Sequence, residues 1–430
     1  MDKLIGDFAN LSTKLLKEPT QTSVEELSNL LREFQSLCAS NADIRRSLFD
    51  SLDLNLLIQL FDLVLKQDPS QSSLLCVKIG LQVIGNTVVQ NDIQCVEQIW
   101  NVTGAFLLDC FKHKDDKMNI IVMMVLFNIF KYLPNIVESN SIKTTVLEQA
   151  IVGNEFAIYF LEDLIYFTSK SESTSFSQFF ESLPIQHQLY VMEYVKTNIK
   201  PGVHLDHFVH MFNKDAFRIL SDAADISHVQ TTVLCLELLA ACSSSNEYQG
   251  LLQNNVTFVS SVVEFLKAMH SLGKQDKDNK FAPDQNLSNM FSLDENNEVF
   301  GLKATCVKLV ANLCWGHAAN QNLARISECF PVLLECCNLD ARNPLIKEWA
   351  VFAIRNCCEN NMVNQQLIAQ MNQTNEPTID TSVGLNLAPG VHIGPLNKHN
   401  TCSSVFWDFS VLLWQHEKDT YDTLRMYLWR

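Results

Sequence analysis

The sequence predicts an all-α fold made of repeated helical units, and three observations lead to that prediction. The phrase ANLCWGHAANQNL at residues 311–323 returns 44 positions later as RNCCENNMVNQQL at residues 355–367. Glycine and proline are scarce, at 13 and 11 of 430 residues, whereas all-β folds need many turns. Apolar residues form 47% of the chain and recur at helical spacing. Long helices with short polar connections satisfy all three observations.

Each copy of the phrase closes an amphipathic helix, breaks at a polar turn and restarts with Asn-Gln on a shorter helix. Pro331 is well placed for the first turn of a third helix between the copies. One helix of about 16 residues and two shorter ones within 44 residues is the armadillo or HEAT period. The sequence therefore predicts an armadillo/HEAT-like right-handed α-solenoid of six to eight units. The apolar positions that repeat in the long helices are Leu302, Cys306, Leu309 and Leu313, then Ile346, Ala350, Ala353 and Cys357.

Fainter copies of the unit lie upstream. The segment around Cys242 and Gln249 aligns with Cys314 and Gln321, but at a longer offset. A polar insertion rich in Asp and Asn, residues 273–299, accounts for the difference and is predicted to be a mobile acidic loop.

These boundaries divide the chain into five predicted regions. They are amino-terminal armadillo-like repeats at 1–272, the insertion at 273–299, a carboxy-terminal armadillo domain at 300–371, a flexible linker at 372–400 and an aromatic-rich tail at 401–430.

Composition argues against several function classes. The formal net charge of −16 disfavours nucleic acid as a partner, because phosphate binding needs a cationic surface. The longest apolar run, residues 120–127, is too short to insert into a membrane, and the amino terminus lacks a secretory signal. The 14 cysteines lie mostly in apolar helical stretches, which indicates reduced core residues rather than a disulfide framework. A cytoplasmic protein is expected.

The repeated asparagines, Asn312 and Asn356, have two interpretations. In the favoured one, each amide binds backbone at the end of its helix. In the other, the long helices line a concave groove that binds a partner peptide, and the candidate site is Lys308, Asn312, Arg355 and Asn356. Lys308 and Arg355 would suit an acidic or phosphorylated ligand, although solvated surface charges are the favoured interpretation of both.

A nuclear-transport-type adaptor is the alternative armadillo function. Such adaptors bind basic peptides with a tryptophan four residues before each groove asparagine. Here Lys308 precedes Asn312 by four residues and Phe352 precedes Asn356 by four, and a lysine repels a basic peptide.

Catalytic chemistry finds little support in the sequence. His204, His207 and His210 cannot all reach one zinc ion from a regular helix, and the Cys314–His317 pair has no orienting carboxylate nearby. A metal-dependent enzyme is the weakest alternative. The sequence predicts no catalytic residue, no metal and no cofactor.

Residues 300–371 resemble the carboxy-terminal domain of the ataxin-10 family. The likeness is dense over about 70 residues and looser upstream, and the tail at 401–430 departs from the family pattern. It is carried by Phe300-Gly301, Asn312-Leu313-Cys314, Asn320-Gln321, Cys337-Asn338-Leu339-Asp340, Asn343-Pro344, Glu348-Trp349-Ala350 and Ala353-Ile354-Arg355-Asn356.

The resemblance implies a non-enzymatic armadillo-repeat scaffold in cytoplasmic signalling. It implies links to neuron survival and neurite outgrowth through Ras–MAP kinase signalling, and to cytokinesis. Implied partners are O-linked N-acetylglucosamine transferase, a G-protein β subunit and other copies of the chain. Implied locations are the cytoplasm, with perinuclear, centrosome, basal-body or midbody sites as alternatives.

Overall fold

The computed structural model confirms an all-α solenoid-type fold. It describes residues 2–40, 42–67, 70–89, 91–134, 136, 140–166, 173–221, 225–286 and 298–374. Over these residues the chain forms twenty α-helices and no strand. The handedness of the helical stack stays a prediction. The predicted linker and tail, at 372–400 and 401–430, lie outside the described residues from 375 onward.

The chain divides into two compact units. Unit 1 comprises Met1–Tyr190 and Lys200–His204, and unit 2 comprises Val191–Ile199 and Leu205–Arg430. The division falls inside the region 1–272 that the sequence assigned to one set of repeats, and the five predicted regions stay predictions.

Unit 1 is a stack in which α2, α5, α7 and α9 pack one on the next. Phe34, Phe61 and Phe160 are completely buried between them. Asp115 caps α7 by accepting a hydrogen bond from the Met118 amide at 2.7 Å. Its helices are α1 Asp2–Lys17, α2 Gln21–Ser40, α3 Ala42–Ser51, α4 Leu54–Gln67, α5 Gln71–Val88, α6 Ile93–Cys110, α7 Asp116–Phe130, α8 Asn140–Ile151, α9 Glu155–Tyr166 and α10 Ser173–Ser182.

Unit 2 contains the repeated phrase. Within it α13 and α15 pack on α16, and α16 packs on α19. The helices that follow α10 are α11 Ile185–Thr197, which begins in unit 1, α12 Leu205–Asp215, α13 Ile226–Cys242, α14 Gln249–Asn254, α15 Val256–Gln275, α16 Leu302–Cys314, α17 Ala318–Ile326, α18 Cys329–Glu335, α19 Ile346–Cys358 and α20 Met362–Thr374.

The backbone of unit 2 repeats at the predicted period. Gly301 (φ 73°) and Leu345 (φ 62°) adopt left-handed conformations immediately before the long helices α16 and α19. Gly316 (φ 61°) and Asn360 (φ 53°) do so after them. Each long helix has 13 residues rather than the predicted 16, because a left-handed residue precedes its first turn and an extended residue, Trp315 or Glu359, ends it.

The described part of the insertion, residues 276–286, is anchored at a few buried points while most of its residues are exposed, and the mobile acidic loop stays a prediction. Phe281 and Ala282 are buried, and the buried ammonium of Lys303 donates to the Phe281 carbonyl at 3.0 Å. A Cβ atom at Gly273 would lie 2.3 Å from that carbonyl oxygen, so the close approach requires glycine. Residues 287–297 lie outside the described part of the chain.

Candidate functional site

The repeated Asn-Gln phrase builds a ladder of buried side-chain amides. Asn320, on α17, donates from Nδ2 to the carbonyls of Leu313 at 2.8 Å and Gln253 at 3.0 Å. Asn364, at the same place on α20, donates to the equivalent two carbonyls at 2.7 and 3.0 Å. Each asparagine therefore joins the end of its own long helix to the short helix of the preceding unit.

The glutamines form the second half of this ladder. Gln321 donates from Nε2 to the carbonyls of Asn356 at 2.9 Å and Glu359 at 3.2 Å, in the following unit. Gln253 donates to the equivalent carbonyls one unit earlier, at 3.1 and 2.8 Å. The sequence alignment paired Gln249 with Gln321, but the geometry shows that Gln253 occupies the equivalent place.

We call Gln253, Asn320, Gln321 and Asn364 the amide ladder. Its asparagines are at most 1% exposed, and its glutamines are 9% and 3% exposed. The last carbonyls of an α-helix have no partner within the helix, and a buried unpaired carbonyl is costly. The ladder supplies donors to carbonyls at the ends of α16 and α19 and ties neighbouring units together. This explains why the chain repeats the phrase.

The two predicted groove asparagines are held by the protein. Asn356 is 2% exposed, and its Nδ2 donates to the Ala311 carbonyl of the preceding long helix at 2.9 Å. Asn312 donates to the hydroxyls of Ser243 and Ser244 at 2.9 and 3.0 Å. Asn356 is therefore buried in the stack rather than presented to a ligand, and the groove assignment for it is corrected.

Lys308 and Arg355 lie on the surface of the same two long helices. The ammonium of Lys308 is half-buried and lies 5.1 Å from the ring centroid of Trp349 on α19, a cation–π contact. Trp349 in turn meets Phe352 edge to face, with 6.1 Å between ring centroids. Arg355 follows one turn later and is exposed. We call Lys308, Trp349, Phe352 and Arg355 the α16–α19 surface.

The negative charge of the Glu237 carboxylate, on α13, acts on the ammonium of Lys308. Burial lowers the pKa of Lys308, and the charge of Glu237 opposes that shift. Glu237 is itself bound by Lys196 at 2.9 Å, and the same ammonium lies 2.7 Å from Glu193. Helices α11, α13, α16 and α19 thus place charged and aromatic side chains next to one another within unit 2.

Three of the histidines considered for metal binding or catalysis are packed within the protein or bind its backbone. His204 lies just before α12 rather than on it, and its ring stacks on Phe176 at 4.1 Å, while His207 is buried. His317 caps α17, since its Nδ1 accepts a hydrogen bond from the backbone N–H of Asn320 at 3.3 Å. Among the described residues, no group of three His, Cys, Asp or Glu side chains could hold a metal ion.

The sequence pattern missed Trp349 as a member of the α16–α19 surface and Glu237 on α13 as a charge near it. Trp349 stands seven residues before Asn356, not the four that an import adaptor uses. The signal that could have revealed it is the 44-residue period, since Trp349 corresponds to Thr305, one turn before Lys308 on the same face of α16.

No helix of the described chain is long and apolar enough to cross a membrane.

The stacked helices and the amide ladder define an all-α repeat protein of the solenoid class. Residues 302–387 match the model of the spinocerebellar ataxia type 10 protein domain. Ataxin-10 of Xenopus tropicalis is 28% identical over 367 residues, which cover 80% of this chain and 74% of that protein. The chain is therefore similar to ataxin-10 proteins over about four fifths of its length, and the matched family domain lies at its carboxy-terminal repeats.

The chain also has a shorter match to one relative and a distant match to one solved structure. The ataxin-10 homolog of Dictyostelium discoideum is 37% identical over 91 residues, covering 21% of this chain and 15% of that protein. The crystal structure of an engineered protein aligns with 84% of this chain and 98% of its own, at 12% identity and a TM-score of 0.23.

Proposed function

We propose that this chain is a non-enzymatic scaffold that binds other proteins through the α16–α19 surface. The observation that carries the proposal is the contact between Lys308 and Trp349 on neighbouring helices, with Phe352 against Trp349; Arg355 is exposed one turn after Phe352 on α19. Aromatic and arginine side chains are the residue types that anchor protein interfaces. Of the four groove residues predicted from sequence, Lys308 and Arg355 remain in this site, and Asn312 and Asn356 support it from within the stack.

Similarity to ataxin-10 proteins supports a finer proposal. The chain acts in cytoplasmic signalling and cell division, with the transferase, the G-protein β subunit and a further copy of the chain as candidate partners. Neurite outgrowth, cytokinesis and centrosome or basal-body association are the cellular processes to test.

The scaffold is tested by crosslinking the full chain in cells and identifying its partners by mass spectrometry. We expect a reproducible partner set that shrinks when Lys308 and Arg355 are both replaced by alanine. A matched control replaces Arg32 and Lys66, two cations on the exposed surface of unit 1. This control should leave the partner set unchanged.

Two outcomes would count against the proposal. If the control variant reduces the partner set as much as the double variant does, binding does not depend on the α16–α19 surface. Failure to capture any protein reproducibly would contradict the scaffold itself.

A further inference from the structure

Unit 2 has a cleft beside α20, the last helix of the described chain. The cleft has a volume of about 500 Å³, within the range of about 300–1,000 Å³ that binding clefts occupy. Val363, Leu367 and Met371 recur every four residues along α20 and line the cleft. Asn364 and Ile368, on the neighbouring face, are buried in the stack. Because Val363 is 54% exposed, α20 carries a second apolar stripe that the described chain covers only in part.

The preceding unit shows how such a stripe is covered elsewhere in the stack. There the short helix α17 is followed by α18, which packs on it. Phe330 and Leu333 of α18 are completely buried. One 44-residue period later, their places in the sequence fall on Thr374 and Pro377, so these apolar anchors are not repeated. A repeat unit needs a neighbour to bury its apolar face, and where the repeat stops another segment has to supply that cover.

An arginine at the cleft lacks a charged partner. The guanidinium of Arg325, near the end of α17, makes one hydrogen bond among the described residues, at 3.4 Å to the side chain of Asn322, and its Nε is buried without a partner. Glu328 also lines the cleft, but it is exposed to solvent, and within the described chain no ion pair joins it to Arg325. A buried donor without an acceptor is costly, so the cleft suits an apolar segment that carries a carboxylate.

One segment of this chain, outside the described residues, has that composition. Residues 405–414, VFWDFSVLLW, contain eight apolar residues and one carboxylate, Asp408. We propose that this segment docks in the cleft of its own chain, with the Asp408 carboxylate accepting hydrogen bonds from Arg325 and the aromatic residues on either side of it covering the apolar stripe of α20. The proposal adds to the scaffold function and does not depend on the α16–α19 surface.

The connection between α20 and this segment is long enough for docking within one chain. Thirty residues, 375–404, join the two. A flexible chain of that length has a root-mean-square span of about 30 Å. The stripe from Val363 to Met371 extends about 12 Å along its helix. A tether of this kind gives an effective concentration of about the millimolar order, whereas a second copy would have to dock from free solution. Docking within the chain is therefore favoured.

The experiment uses the full chain with the photo-crosslinker benzoylphenylalanine in place of Trp407. After illumination, mass spectrometry identifies the peptides that it has joined. We expect most crosslinks to fall on peptides that contain Pro331 or residues 363–371, which line the cleft. The same reaction in a mixture with isotope-labelled chain separates the two sources of a crosslink, because docking within one chain never joins labelled to unlabelled peptides.

Charge reversal tests the ion pair. Asp408→Arg should lower the crosslink yield at the cleft about threefold or more, because two like charges then face each other, and Arg325→Glu should do the same. The double variant with both changes should recover about half of the natural yield or more, since it restores opposite charges. Asp422→Arg is the matched control, because it makes the same charge change outside residues 405–414 and should leave the yield unchanged. Circular dichroism confirms that the variants keep their helices.

Crosslinks that fall mainly outside the cleft would overturn the inference, and so would the absence of any crosslink. Cleft crosslinks that join labelled to unlabelled chain would show that a second copy occupies the cleft instead. A yield that Asp408→Arg leaves unchanged, or that the double variant fails to restore, would contradict the contact between Asp408 and Arg325.

Discussion

Leu345 adopts a backbone conformation that glycine adopts at the equivalent place one unit earlier. Leu345 has φ 62° and ψ 10°, and Gly301 has φ 73° and ψ −8°. The left-handed region costs an L-residue about 1–2 kcal/mol, whereas glycine enters it freely. Leu345 is also 46% exposed, so its side chain offsets only part of that cost by packing.

We therefore expect Leu345→Gly to raise the free energy of unfolding by up to about 1 kcal/mol, and Gly301→Ala to lower it by about the same amount. Urea unfolding followed by circular dichroism compares the two variants with the natural chain. Each serves as the control for the other, because the same backbone conformation predicts opposite signs. Destabilisation by both would show that packing of the Leu345 side chain outweighs its backbone strain.

At the scale of the element, several side-chain amides bind the end of each long helix, and Asn364 is the fully buried one at α19. Asn364 is fully buried and donates to the Cys357 and Gln321 carbonyls at 2.7 and 3.0 Å. Because these carbonyls lie away from water, removing the donor leaves them unsatisfied. The helix end and the contact between units should weaken together.

We expect Asn364→Ala to lower the free energy of unfolding by about 1–3 kcal/mol. Asn364→Asp should cost more, since a carboxylate can only accept hydrogen bonds and would face two carbonyl oxygens. The exposed Asn338, which donates to the Glu335 carbonyl at 3.0 Å, provides the control, and Asn338→Ala should change little. Urea midpoints rank the three variants, and an aspartate variant as stable as the natural chain would contradict the geometry of the ladder.

The sequence predicted the helices of unit 2 better than their contacts. Apolar spacing and the duplicated phrase are local signals, so the period of 44 residues could be recognised without coordinates. Gln249 and Gln253 stand one helical turn apart, and both donate to the Asn312 carbonyl, so sequence identity alone could not choose the equivalent of Gln321. The burial of Asn356 likewise depends on how closely α16 approaches α19, which is a property of packing.

The candidate site was predictable only in part, because its contacts also depend on how the helices pack. Lys308 and Arg355 were identified from their places beside the repeated Asn312 and Asn356, with solvated surface charges as the favoured interpretation. The partner of Lys308 was not, since Trp349 comes from another helix and the spacing typical of import adaptors pointed to Phe352. The contacts of the insertion were missed because its composition is polar, whereas buried Phe281 and Ala282 and hydrogen bonds from Lys303 and Arg342 anchor its described part.

At the scale of the whole molecule, cysteine is a core residue in both units. Twelve of the thirteen described cysteines are buried. Burial raises the thiol pKa in eleven of the thirteen described cysteines, ten of them buried and the eleventh the half-buried Cys337, to about 11 for Cys38 and Cys76 and to about 12 for Cys110 and Cys242. For Cys357, the largest cause of the raised thiol pKa is a hydrogen bond with Cys314, and burial raises it further.

These shifts predict that the protein loses stability in alkali. Below pH 9, the thiols are protonated in both the folded and the unfolded chain, and their contribution is fully present. Above pH 9, the unfolded chain releases thiol protons that the folded chain retains, so stability falls until the raised pKa values are passed, by up to about 1.4 kcal/mol per pH unit for each thiol. The buried Lys303 and Lys308 have lowered pKa values and act in the opposite direction, but they are only two groups.

Urea unfolding at pH 7, 8, 9 and 10, with a phosphine reductant to prevent disulfides, measures this loss. We expect a nearly constant midpoint up to pH 8 and a steep decrease between pH 9 and 10, because several thiols then ionise together on unfolding. Cys242→Ala removes one buried thiol, so it should lower stability at pH 7 yet make the alkaline decrease shallower. Val262→Ala is the matched control, because it removes buried apolar volume but no titratable group. It should lower the free energy of unfolding equally at every pH. A midpoint that stayed level to pH 10 would mean that water or neighbouring charges reach these thiols in the folded chain.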